Sequence, residues 1–130
     1  MLLLGLIGAV GGCSTDSSDD SVELPADCTT LYEPTFDNVH TRTLQVSCAL
    51  AGGACHAAEG GQGGLVLAGI DDAYSNLLGA GRVIADDAAS SLLLQRLYTT
   101  DGSKRMPPGN ALSDEERCAV LQWVNNGAER

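Results

Sequence analysis

The sequence predicts an all-α domain. Two observations carry that reading. From Cys28 onward apolar residues recur at helical spacing between Gly-rich breaks, and the chain ends in a segment with every mark of a capped helix. In "LSDEERCAVLQWVNNGA", Ser113 and Glu116 have the S-x-x-E spacing of a capping box. Asp114, Glu115 and Glu116 lie in the first turn, where the helix dipole favours anions. Val120, Trp123 and Val124 follow at helical spacing, and Gly127 supplies the stop.

The upstream elements follow in order. "EPTFDNVHTRTLQVSCA" predicts a helix from about Thr35 to Leu44, with His40 on its surface. "GGQGGLVLAG" cannot be helical, because each Gly costs roughly 1 kcal/mol relative to Ala, so Leu65, Val66 and Leu67 are expected as an extended apolar segment. "DDAYSNLLGAG" predicts a short helix with an Asp cap and Gly79 or Gly81 as its stop. "DDAASSLLLQRLYTT" predicts another from near Asp87, with Leu93, Leu94 and Leu97 turned inward. The result is four or so short helices joined by long connections. One Phe, one Trp and three Tyr make a thin aromatic supply, which suggests that something besides side chains fills the middle.

At 130 residues the chain is long enough for one domain. Its net charge of −10 argues against nucleic acid, which requires a basic face. The sequence contains no Gly-rich phosphate loop, Ser-His-Asp set or multi-His zinc cluster. Leu2 to Gly12 form an apolar run too short for a bilayer, which takes about 20 residues. Ending in "VGGC", it reads as a signal peptide over 1–12 and resembles a bacterial lipobox, with Cys13 as the lipidated first residue. No Lys or Arg precedes the run, so the signal peptide is expected to begin upstream of Met1. Residues 13–27, rich in Ser, Thr and Asp, are expected as a polar disordered tether, and 28–130 as the domain. Ser14 after the lipidated Cys resembles Gram-negative lipoproteins of the outer membrane. The expected location is therefore exported and lipid-anchored, on the periplasmic face of that membrane.

The chemistry-bearing stretch is "SCALAGGACHAAEGGQGG". A c-type haem is held by Cys thioethers, and the His after the second Cys ligates the iron. Cys55-His56 has that form, but the partner position three residues before Cys55 is Gly52 and the nearest upstream cysteine is Cys48, so C-x6-C-H replaces C-x2-C-H. Met106, in "KRMPPGN", offers a thioether from a loop stiffened by Pro107 and Pro108, with Lys104 and Arg105 beside it as a solvated turn. A zinc site from Cys48, Cys55, His56 and Cys118 lacks the close paired spacings of structural zinc.

From about Leu31 to Ala128 the chain resembles the cytochrome c-like domains of exported planctomycete and myxobacterial proteins. The matching stretches are "YEPTFDNVHTRTLQVSCA…CH", "GGLVL", "AYSNLLG", "RVIADDAASSLLLQRL", "RMPPGNALSDEE" and "LQWVNNGA". The resemblance implies a small class I cytochrome c-like fold around a haem crevice. It implies one covalent haem c, with Cys55 as attachment point and His56 and Met106 as axial ligands. Cys48 then serves as second attachment point, or haem hangs by Cys55 alone, or Cys48 pairs elsewhere. A Cys28–Cys118 disulfide is what remains if both central cysteines serve haem, and Cys48–Cys55 with Cys28–Cys118 is the haem-free arrangement. The implied function is not enzymatic: a membrane-anchored carrier passing single electrons between redox proteins of the cell envelope. The alternative is a haem-free, disulfide-stapled lipoprotein module with a binding or envelope-structural role.

Overall fold

The computed structural model describes residues 22–50 and 55–130, so the expected signal peptide and Cys13 lie outside the described residues. Among the described residues there are four α-helices and no strand, which is the all-α class expected.

Thr35 opens the first helix, its side chain accepting the Asn38 N–H, and α1 covers Phe36–Val39. The chain then continues without a break into a π-helical segment, His40–Cys48. An α-helix was expected through this stretch as far as Leu44. The Thr41 hydroxyl donates to the Asp37 carbonyl at 2.7 Å, a back-bond that competes with the helical ladder. Tyr32 and Thr43 share a short buried hydroxyl–hydroxyl hydrogen bond that holds the widened turn to the segment before α1.

The second helix, α2, covers Ile70–Gly79. Its N-cap is Gly69 and no side chain caps it, so Asp71 and Asp72 act in the first turn through the helix dipole and not as caps. The third, α3, covers Leu92–Tyr98, several residues later than the expected start near Asp87. The reason is local. Asp86 has φ 61, Asp87 Oδ1 accepts the Ser90 N–H, and the buried Ser91 hydroxyl donates to the Asp87 carbonyl at 2.8 Å while accepting the Ile84 N–H. Polar side chains thus satisfy this backbone as a turn before the helix starts. Leu94 and Leu97 are buried and Leu93 is half-buried against them.

The fourth helix, α4, covers Asp114–Asn125 and carries the complete capping box between Ser113 and Glu116. Gly127 follows with φ 106, a left-handed conformation suited to Gly at a helix stop. Phe36 lies at the junction, with ring centroids 5.1 Å from Tyr74 and 4.9 Å from Trp123, joining α1, α2 and α4. Leu44, Leu67, Leu77, Leu94 and Val124 complete the same core, so side chains supply the interior despite the few aromatics. A disulfide links Cys28 to Cys118, tying the chain before α1 to the middle of α4. Gln122 adds a hydrogen bond to the Cys28 carbonyl. Of the residues expected as tether, Val22 to Asp27 run beside the domain, with Leu24 partly buried against its core.

Candidate haem site

Cys48 closes the π segment, and its carbonyl accepts the His56 N–H at 3.1 Å. The two ends of the Cys48–His56 stretch are therefore joined by backbone, although residues 51–54 between them are outside the described residues. Cys48 and Cys55 are both free thiols, Cys48 half-buried and Cys55 exposed. Burial, with a smaller contribution from the Cys55 thiol, pushes Cys48 up to about 11, so it stays protonated at neutral pH. The Cys48–Cys55 disulfide of the haem-free alternative is not formed here. With Cys118 held in its own disulfide, the four-residue zinc set is not assembled either.

After His56 the chain makes a tight turn. The Ala57 carbonyl accepts both Gly60 and Gly61 N–H groups, and Gly61 (φ 47) and Gly64 (φ 72) take left-handed conformations open to Gly. Arg82 donates to the Gly63 carbonyl at 2.9 Å and to the Asn76 carbonyl at 3.2 Å, bolting this turn to the end of α2. The chain thus returns past His56 in extended form through Leu65, Val66 and Leu67.

That return sets the histidine. The His56 ring lies with Nδ1 3.0 Å from the Leu65 carbonyl. A carbonyl only accepts, so Nδ1 carries a proton and, in the neutral ring, Nε2 keeps its lone pair. A metal-ligating His is oriented by such a bond from its other nitrogen. The Leu67 N–H then donates to the His56 carbonyl at 2.8 Å, holding the backbone of His56 to the same segment. An exposed Cys thiol beside an imidazole with a free Nε2 is the donor chemistry of c-type haem, and in this respect the residues fit the group.

Met106 is held by other elements. Its N–H donates to the Arg96 carbonyl near the end of α3 at 2.8 Å, and its side chain is half-buried. The loop before it is built by Asp101, whose carboxylate accepts from Ser103 N–H and hydroxyl and whose carbonyl accepts the Lys104 and Arg105 N–H groups. Arg105 donates to the Gly109 carbonyl across the Met-Pro-Pro turn, and Lys104 lies 3.9 Å from Asp101 in an exposed ion pair. A cleft of about 1010 Å³ between the N-terminal segment and the α3–α4 ends is lined by Leu24, Cys28, Tyr98 and Asp114 among others. It contains none of Cys48, Cys55, His56 or Met106.

His40 departs from expectation. It is 2 % exposed, and its Nε2–H donates to the Leu67 carbonyl at 2.9 Å. A surface position was expected, but His40 follows Phe36 by four residues and so lies on the helix face that buries Phe36 and Val39. Asn76, which donates to the Val66 carbonyl at 3.1 Å, was not singled out from the sequence either. The usable signal was "LVL" itself: an apolar extended run with no strand partner must find donors for its carbonyls.

A small all-α domain with an oriented Cys-His pair and a Met-Pro loop is cytochrome c-like. Residues 53–110, which bracket Cys55, His56 and Met106, match the family model described as Planctomycete cytochrome C, a likeness that supports a cytochrome c-like domain of planctomycete type over that span. No curated protein and no solved structure matches the chain.

Proposed function

We propose that this protein is an exported, lipid-anchored carrier of one haem c that passes single electrons between redox proteins of the cell envelope. The observation that carries the reading is the His56 Nδ1–H to Leu65 carbonyl bond, which leaves Nε2 for iron beside an exposed Cys55. Haem, when bound, supplies an iron that accepts and returns one electron. Cys55 would supply the covalent attachment, and the His56 nitrogen and the Met106 sulfur would hold the iron, the sulfur favouring its reduced form. Val46 and Leu50, on either side of Cys48, are 46 % and 62 % exposed and offer apolar surface to a macrocycle. Cys13 carries the anchor. A second reading, a haem-free disulfide-stapled module, is favoured by the half-buried, protonated thiol of Cys48.

Expression of the full chain in a host with c-type haem attachment machinery separates the two. The haem reading expects haem that stays with the polypeptide through denaturing electrophoresis and is lost in Cys55→Ala. Mature protein without haem absorbance defeats it and leaves the stapled module. For the anchor, Cys13→Ser should move the protein from the membrane fraction to the soluble one.

A further inference from the structure

The run Leu65–Ala68 has no strand partner among the described residues, yet each of its four carbonyls receives a side-chain donor from elsewhere. Leu65 accepts from His56 at 3.0 Å, Val66 from Asn76 at 3.1 Å, Leu67 from His40 at 2.9 Å, and Ala68 more weakly from Gln45 at 3.5 Å. His40 and Gln45 are five apart. At about 100° per residue an α-helix would splay such positions by roughly 140°, but i→i+5 hydrogen bonding brings them to one face. His40, whose N–H still bonds to the Phe36 carbonyl, reaches the run from the buried face of α1, and the widened turn brings Gln45 round beside it.

His40 is built for more than packing. Its ring is buried 6.0 Å from the Phe36 ring, and its Nδ1 is buried with no hydrogen-bond partner. An unpaired buried nitrogen is a cost that an apolar side chain of similar size would avoid. What the histidine contributes in exchange is one donor, on Nε2, to Leu67.

We infer that His40 is a positioning residue for His56. It fixes Leu67, whose N–H holds the His56 carbonyl, and with it the Leu65 carbonyl two residues earlier, which sets the tautomer and orientation of the His56 ring. The significance for iron rests on the proposed function, whereas the coupling between the two histidines exists in the haem-free chain.

Nitrogen NMR of the imidazoles in the haem-free, full-length chain tests this directly. The wild-type protein should show His40 with its proton on Nε2 and His56 with its proton on Nδ1. His40→Phe keeps a ring and removes the donor. It should convert His56 to a mixture of tautomers and speed exchange of the Leu67 amide about tenfold. His40→Gln, which restores a donor, should return both to wild-type behaviour. A folded His40→Phe protein with the His56 tautomer and Leu67 exchange unchanged overturns the inference. So does a wild-type His40 protonated on Nδ1, a result that needs no variant to fold. In haem-loaded protein His40→Phe should also shift the reduction potential and His40→Gln should restore it. A chain that takes up no haem but shows the tautomer coupling defeats the proposed function and upholds this inference.

Discussion

At pH 8 the two free thiols should behave as different chemicals. Cys48 ionises near 11 against an ordinary value of 9.0, because burial disfavours its thiolate, while Cys55 is exposed. That displacement alone makes Cys48 about a hundredfold slower toward iodoacetamide. Mass spectrometry of the haem-free protein over time should show Cys55 modified first, and equal rates would mean Cys48 is not buried. The same shift has a stability sign. A thiol whose folded pKa is raised contributes stability that is present below its unfolded pKa and lost as pH climbs from about 9 to about 11. Tyr32 and Tyr98, both raised by burial, add to that alkaline sensitivity. Met106 is tested in loaded protein: Met106→Ala should keep haem through Cys55 and His56, lower the potential and open a coordination position. An unchanged spectrum and potential would remove Met106 as ligand. Cys55, His56 and Met106 stood out as candidates in the sequence because reactive side chains declare themselves by type and neighbour. His40 was not singled out, although it follows the buried Phe36 by four residues and so lies on the face of α1 that meets the core.

Helix α4 was readable from sequence because cap, dipole, apolar spacing and stop all agree on one answer. Ser113→Ala should cost about 1 kcal/mol by leaving the Glu116 N–H without its cap, measurable as a lower denaturant midpoint with an unchanged slope. No loss would mean that water replaces the hydroxyl fully. Helix α3 was misplaced at its start because Asp87 imitates a cap while Ser90 and Ser91 are claimed by a turn. The π segment was invisible for a related reason. Thr41 and Thr43 look like ordinary, if unfavourable, helix residues, and only their hydroxyl bonds to Asp37 and Tyr32 show why the ladder widens. In both places a short polar side chain bonded to nearby backbone decides the geometry.

The all-α class of the molecule was legible from its Gly-broken helical patterns, and its closure by Cys28–Cys118 followed once the other cysteines had been given uses. In a chain-entropy account that cross-link stabilises the domain by on the order of 4 kcal/mol, so Cys28→Ala with Cys118→Ala should lower the unfolding free energy by a similar amount. The bond also has a mechanical meaning. Cys28 and Cys118 are 90 residues apart, and every candidate haem residue lies between them. Tension applied between the two ends of the chain enters at Cys28, crosses to α4 through sulfur and leaves toward Arg130. The loop carrying Cys55, His56 and Met106 is a slack branch that bears none of it. Pulled from its ends in a single-molecule experiment, the oxidised protein should extend about 300 Å less than the reduced one. The cross-link thereby keeps the candidate haem residues out of the line of force.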